Sequence, residues 1–381
     1  MKQPLLSIVI PTKDRHFYLK QLLSAIIGFN SDEIEIVIQD NTADNQDFLE
    51  YLCGINYPML KYNHVKEQIP ISRNSDLAVN NSTGKFVCFI GDDDGVTQLI
   101  LPCVHYMDTH NVDVVVPKSV SYNWPDSFNA NKLLKESAQL SYTDFTGEIT
   151  SLDSLKTLED LIRQGCTYRG NLPLLYHGIV RRSILDKIYE KGNTYFPGPS
   201  PDIANGVALS LTNCKYLKID MPIIISGASK FHSGGVRKMK NRACDIDQVS
   251  FLPPHTKDNW ECKIPKIWTV ETVWCESAVK AMRYMGRDDL AESVNYEALY
   301  VAFVTYNFSL RKMAYALSKN KIKLFFKSSK KIYKRYLRGL LRVLKSQNKS
   351  ELITQNCNDI KEVISFLDEK YNDCFINRLE A

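Results

Sequence analysis

No run of about 18 uncharged apolar residues occurs in this chain, so a spanning helix of ordinary length is not expected. Ten cysteines are present without a single Cys-x-x-Cys pair, and Cys88 lies inside an apolar run. That scatter excludes a thiolate zinc cluster of the usual spacing and favours reduced thiols over a disulfide framework. Neither an internal repeat nor a low-complexity tract is found, which sets aside solenoid and disordered classes. The opening Met1-Lys2-Gln3-Pro4 shows no signal-peptide core and leads straight into an apolar run, so a cytoplasmic location is expected. Acidic residues are missing between Ala298 and Ser350, a stretch that holds fourteen Lys or Arg. The whole chain carries +5, so the remaining residues carry a net charge of −9. Charge of opposite sign therefore marks two separate tasks.

With 381 residues, 44% hydrophobic and 24% charged, the chain has the composition of a globular protein with room for two domains. Leu5–Ile10 predicts a strand and Phe17–Ile27 a helix, with Leu19, Leu22, Leu23 and Ile26 at helical spacing. Ile34–Gln39 predicts a second strand, Gln46–Cys53 a helix and Leu60–Tyr62 a weak strand. A helix over Ser72–Asn81, a strand over Lys85–Ile90, a helix over Gln98–His110 and a strand over Val112–Val116 follow. Such alternation indicates βαβ units and a mostly parallel sheet. From Pro117 to Gly170 the pattern loosens, apart from a helix at Ser154–Gln164, and it returns at Leu174–Arg181 and Ile219–Ser226. Pro253-Pro254 marks a boundary, giving domains 1–255 and 256–381. Beyond it, Lys266–Met285, Arg287–Lys319, Lys321–Leu344 and Glu351–Tyr371 read as helices.

Three polar clusters end successive strands: Pro11-Thr12-Lys13-Asp14-Arg15, Asp40-Asn41-Thr42-Ala43-Asp44 and Gly91-Asp92-Asp93-Asp94. A parallel sheet brings those ends to one edge, where open α/β sheets bind ligands. Three adjacent carboxylates repel one another unless a cation neutralises them, and oxygen-only ligands suit Mg2+ or Mn2+. Taken singly, each cluster is equally an ordinary solvated turn or helix cap. Together they fit a nucleoside diphosphate: Asp40 to accept from a base N–H, Arg15 to meet a phosphate or buttress Asp40, and the aspartates to hold a metal.

The runs Leu6-Ser7-Ile8-Val9-Ile10-Pro11-Thr12-Lys13-Asp14-Arg15, Ile36-Val37-Ile38-Gln39-Asp40-Asn41-Thr42, Ser72-Arg73-Asn74, Ser82-Thr83-Gly84-Lys85 and Phe89-Ile90-Gly91-Asp92-Asp93-Asp94 resemble, in that order, the family 2 glycosyltransferases. The flavour is that of bacterial O-antigen and capsule transferases, including an abequosyltransferase-like group. The resemblance implies a GT-A fold, a Rossmann-like mostly parallel α/β sheet flanked by helices, here with a C-terminal helical region. It implies inverting transfer of one sugar from a nucleotide-sugar, UDP-linked, to a hydroxyl of a lipid-linked saccharide, with Mn2+ or Mg2+ as cofactor. By match, Pro11, Thr12, Arg15, Asp40, Arg73, Asp92 and Asp93 meet the nucleotide. Asp92 and Asp94 form the outer pair of an Asp-x-Asp metal motif. If Gly91 stands for the first Asp, the pair is Asp93 and Asp94. Asp202, ahead of the apolar stretch Val207–Leu211, matches the place of the family's base, and it equally suits a helix cap. His177 falls near the acceptor or donor sugar by match, or is a packed strand histidine. His232, in the loop Ser226–Gly235, is a candidate further metal ligand, with Arg237, Lys238 and Lys240 close behind. No Gln-x-x-Arg-Trp motif of the processive synthases is present, which favours a single addition.

The basic stretch carries apolar residues at 333, 336, 337, 340, 341 and 344, a helical period with one greasy and one cationic side. This pattern suits peripheral binding to an anionic membrane surface, at the inner face of the cytoplasmic membrane. The same pattern fits a helix packed on the catalytic domain. Nucleic acid is disfavoured, since no recognition module accompanies the charge. A nucleotidyltransferase and a non-catalytic scaffold are the competing functions. The first ordinarily needs a Gly-rich loop after the first strand, and Pro11–Arg15 lacks glycine.

Overall fold

In the computed structural model, which describes residues 3–127, 138–230, 243–344 and 353–380, strand and helix alternate from the start. β1 (Leu6–Thr12), α1 (His16–Ile27), β2 (Ile34–Asp40), α2 (Gln46–Cys53), β3 (Leu60–His64), α3 (Ile71–Asn80) and β4 (Phe86–Phe89) follow one another. β5 (Gly95–Val96), α4 (Ile100–Thr109) and β6 (Val114–Pro117) continue the chain. The segment of loose pattern holds β7 (Val120–Asn123), β8 (Gln139–Tyr142), β9 (Ile149–Leu152) and α5 (Ser154–Arg163). After it come β10 (Ile179–Arg181), α6 (Arg182–Tyr189), α7 (Pro201–Ser210), β11 (Tyr216–Ile219) and β12 (Ile224–Ala228).

The larger sheet has the order β3-β2-β1-β4-β10-β6-β11-β9, parallel except for β10 and β9. Its central strands are mostly apolar because both faces are covered. Leu6, Ile8 and Ile10 enter one core with α1 and α4, whereas Val9 enters a second core with α3 and α6. Ile36 and Val37, and Cys88 and Val87, divide in the same way. Strand order reverses between β1 and β4, the switch point where such sheets open a crevice. β1 pairs with β2 through Thr12 but with β4 only as far as Val9. Pro11, which has no N–H to give, thus lies where the ladder to β4 has already ended.

Ser82-Thr83-Gly84 is structural. Buried Glu35 accepts from the Thr83 N–H (2.7 Å), the Thr83 hydroxyl (2.6 Å) and the Ser7 hydroxyl (2.6 Å). A Cβ at Gly84 would meet the Ser7 backbone N at 2.6 Å, so only glycine permits this approach.

The smaller sheet, β13-β8-β7-β12-β5, includes a strand from the far end of the chain, β13 (Ile353–Asn356). β5 begins one residue after Asp94, so the aspartate run is the crossing from one sheet to the other.

The C-terminal helices are α8 (Val270–Tyr284), α9 (Asp288–Glu292), α10 (Tyr296–Tyr306), α11 (Arg311–Leu317), α12 (Lys321–Leu344) and α13 (Ile360–Glu380). Residues of α8 and α10 share a core with α5 and α7. Cys357, Ile360, Val363, Leu367 and Phe375 instead join the core that contains Ile8 and Ile10. Two helical expectations are corrected. Arg287–Lys319 is broken at Asn295 and Asn307, and the Asn295 side-chain Oδ1 caps α10 by accepting from the Ala298 N–H. Within the expected helix Glu351–Tyr371, Ile353–Asn356 is a strand, because β8 offers it an edge to pair with. Among the described residues no helix is long and apolar enough to cross a membrane.

Candidate active site

At the carboxyl end of β1, the Thr12 hydroxyl donates to Asp92 Oδ2 (2.6 Å), and the half-buried Pro11 precedes it. Arg15, the residue before α1, lies against the aspartate run. Its Nη2 is 2.5 Å from Asp92 Oδ1, its Nε donates to Asp92 Oδ2 (3.1 Å), and its Nη1 is 3.3 Å from Asp93 Oδ1. Burial lowers the guanidinium pKa, but the charges of Asp92, Asp93 and Asp94 outweigh it and the net shift is upward. Burial raises the Asp92 carboxyl, helped by Asp93 and Asp94, while Arg15 and Thr12 pull it partway back.

Asp93 turns to β12, accepting from the Ser229 hydroxyl (2.6 Å), while its carbonyl accepts from Trp124 Nε1 (2.8 Å). Asp94 turns a third way. Its Oδ2 accepts from the Gly91 N–H (2.7 Å) and the Tyr176 hydroxyl (3.0 Å) and lies 2.7 Å from His177 Nε2, and its Oδ1 accepts from the Gly227 N–H (2.9 Å). Burial alone would raise this carboxyl, but the histidine and the donated hydrogen bonds hold it below the usual range.

His177 reaches Asp94 from a left-handed backbone (φ 62°), its N–H donating to the Phe89 carbonyl (3.0 Å). A side chain at Gly178 would meet the Leu174 carbonyl oxygen at 1.9 Å, so the turn requires glycine. Tyr176 stacks on His177 with ring centres 4.0 Å apart. Its phenol is raised well above its ordinary pKa by burial, then by Asp94 and Asp93, with a contribution from Asp202. Asp202 lies on a separate element. It is the second residue of α7, behind Pro201, and accepts from the Ser200 hydroxyl (2.6 Å). The N-cap position belongs to Ser200, not to Asp202.

Asp40 forms an adjoining cluster at the end of β2. It accepts from the Thr42 N–H (2.8 Å) and the Tyr62 hydroxyl (2.8 Å) and pairs with His16 Nε2 (2.8 Å). Burial works against this charge, but those three partners prevail and the carboxyl is lowered. The His16 ring stacks on Phe48, with centres 4.5 Å apart. The partner of Asp40 is therefore His16, while Arg15 serves the aspartate run. Arg73 stands exposed on α3, where its charge acts on Asp76. His232, Arg237, Lys238 and Lys240 lie outside the described residues.

The structure therefore gathers Thr12, Arg15, Asp92, Asp93, Asp94 and His177, with Asp40 beside them and Asp202 apart at the start of α7. His16, Tyr62, Tyr176 and Ser229 were not foreseen. His16 and Tyr176 each neighbour a residue singled out from sequence, and Ser229 falls in the loop marked for its glycines and serines. Tyr62 gave no signal beyond its strand. Two surface cavities, of about 420 and 520 Å³, lie between α1 and α13 and between α5 and α8, and none of the residues gathered above lines either.

Among the described residues no three His, Cys, Asp or Glu side chains form a group that could hold a metal ion. Mg2+ and Mn2+ more often rest on one or two carboxylates plus substrate phosphates. The oxygen chemistry of Asp92 and Asp93 fits that simpler arrangement, and their Oδ1 atoms already attract a cation, Arg15.

No curated protein matches the chain in sequence. Among solved structures, residues 1–349 of S. aureus TarS in complex with UDP are 16% identical, over 84% of this chain and 76% of that one, with a TM-score of 0.45. The same piece with UDP-GlcNAc is 15% identical over 98% and 90%, with a TM-score of 0.46. The family described as Glycosyl transferase family 2 matches residues 7–164, from β1 through α5. That segment of the chain matches the family 2 glycosyltransferase model, and the α/β arrangement with its C-terminal helices is GT-A-like.

Proposed function

We propose that the chain transfers one sugar, with inversion, from a UDP-linked donor to a hydroxyl of a lipid-linked saccharide during synthesis of a bacterial surface polysaccharide, O-antigen or capsule. Residues 1–255 form the catalytic domain in this reading, and 256–381 brace it. The observation that carries it is the convergence of Thr12, Arg15, Tyr176 and His177 on the aspartate run, at the edge where β1, β2 and β4 end.

Asp40, held ionised by Thr42, Tyr62 and His16, accepts a base N–H. Pro11 and Thr12 form the floor beneath the nucleotide. Arg15, whose side chain keeps 21% of its surface exposed above the buried Asp92, reaches the diphosphate, and Arg73 approaches from α3. Of the expected metal residues, Asp94 has both oxygens taken by the protein, so Asp92 with Asp93 in its place would hold a divalent cation, Mn2+ or Mg2+, which when bound supplies charge neutralisation at the diphosphate. Asp94, saturated by Gly91, Gly227, Tyr176 and His177, fixes the histidine that faces the sugar. Asp202 removes the proton of the acceptor hydroxyl as its oxygen attacks the anomeric carbon. The bond from that carbon to the diphosphate breaks, and Arg15 stabilises the departing nucleotide.

Asp202→Asn tests the assignment. Transfer should fall by about 10²–10⁴-fold, the usual worth of a general base. The thermal upshift given by UDP with Mn2+ should persist. Wild-type turnover in this variant would remove Asp202 from the reaction.

A further inference from the structure

We propose that α12 is a membrane-docking helix whose outward apolar face seats in the headgroup boundary of an anionic bilayer. This deepens the reading that the acceptor is lipid-linked, and it rests on that reading for its purpose.

The helix meets the rest of the protein along one narrow side, packing on α10. Leu324 and Ser328 are buried and Lys331 is half-buried. Arg335 donates to the Thr305 carbonyl (3.3 Å) with its guanidinium 4.8 Å from the Tyr306 ring centre. These positions recur at four, three and four residues, a single face. Ile322, Phe325, Phe326, Tyr333, Tyr336 and Leu337 recur at the same period on a different face, and each is between 41% and 78% exposed. A surface helix of a globular protein normally buries its apolar stripe. Here a side with two cations is turned inward, and the aromatic side is left uncovered.

A third stripe, Lys323, Lys327, Lys330, Lys334 and Arg338, runs between these two faces, and α12 contains no acidic residue. That charge decides the occupant. A second copy apposed through the same face would bring two cationic stripes together. An anionic lipid surface meets both demands, since the apolar face sinks about 5–10 Å into the boundary. Phosphates meet the lysines, each worth about fivefold in binding.

The test is flotation of the full chain with vesicles of phosphatidylcholine alone and of equal parts phosphatidylcholine and phosphatidylglycerol. Wild type should bind the mixed vesicles more than tenfold better than the neutral ones. A Phe325→Ser/Phe326→Ser double variant should lose more than tenfold on mixed vesicles. A Lys323→Gln/Lys327→Gln/Lys330→Gln variant should fall toward the neutral-vesicle level. Equal binding to both vesicles, or an unchanged double variant, would overturn the proposal. So would a lipid-free wild-type dimer that the double variant converts to monomer, because a second copy would then cover the face. The UDP and Mn2+ thermal upshift, read on the same samples, keeps the two questions apart. Its absence in wild type strikes at the proposed function, and lost flotation with that upshift intact strikes only at the helix.

Discussion

Gly227→Ala is the substitution that most directly probes how the aspartate run is held. An added Cβ would stand 1.6 Å from the Asp93 carbonyl oxygen, 2.5 Å from the carbonyl carbon and 3.0 Å from Trp124 Nε1. The first two are backbone atoms, so no rotamer change relieves them, and β12 must move away from the 91–95 turn. That movement breaks two buried contacts. Trp124 Nε1 loses the Asp93 carbonyl, and a buried donor left without a partner costs about 1–3 kcal/mol. Asp94 Oδ1 loses the Gly227 N–H, a hydrogen bond to a charged group worth about 1.5–3 kcal/mol. The sum, about 3–6 kcal/mol, is a large part of the 5–15 kcal/mol that ordinarily separates folded from unfolded chains. Urea unfolding followed by tryptophan fluorescence reads the loss. Transfer should fall further than stability predicts, because Asp93 and Asp94 are displaced together. A variant as stable and as active as wild type would show that β12 does not clamp the turn.

Asp76, buried on α3, has its carboxyl raised to about 6 by burial, against the opposing Tyr195 N–H, Thr194 hydroxyl and Arg73 charge. The folded chain then holds this proton more tightly than the unfolded one, so stability should fall as pH rises from about 4 to about 6 and level off above. Asp76→Asn should flatten that part of a melting-temperature profile, and an unchanged slope would contradict the assignment. Gly339 on α12 leaves open space within 4 Å of an added Cβ, so Gly339→Ala should stabilise by up to about 1 kcal/mol in urea titration without altering transfer. Treatment with EDTA should abolish the Mn2+-dependent part of the UDP upshift and leave the nucleotide-free melting temperature unchanged, because Arg15 already compensates Asp92 and Asp93.

The first half of the fold was legible because its signals are local. Ile8, Ile36 and Cys88 belong to strands covered on both faces, and such strands announce themselves as dense apolar runs. The helix Gln46–Cys53 falls where its spacing put it. The rest depends on partners distant in sequence. β7, β8 and β9 are four-residue strands with exposed or half-buried positions, and nothing in Ile149-Thr150-Ser151-Leu152 separates a strand from a loop until β11 lies alongside. Ile353-Thr354-Gln355-Asn356 is the same case, a strand made by its neighbour β8. The α12 pattern was plain, but which side faced the protein was not. Helical period reports that two faces differ, and it carries no information on which one packs.

The candidate site divides along the same line. That three consecutive carboxylates require positive charge follows from Coulomb repulsion in any fold. Which partners the carboxylates find depends on contacts spanning about eighty residues on either side, from Arg15 at one end to His177 at the other. Because side chains of successive residues at a sheet-to-sheet crossing cannot share one direction, each aspartate binds a different segment: Asp92 the end of β1, Asp93 the end of β12, and Asp94 the Tyr176-His177 turn. The run therefore ties together three segments distant in sequence at the edge where β1 and β4 end. A cation bound there meets carboxylates whose positions are already set by Thr12 and Ser229, so little ordering remains to oppose its binding.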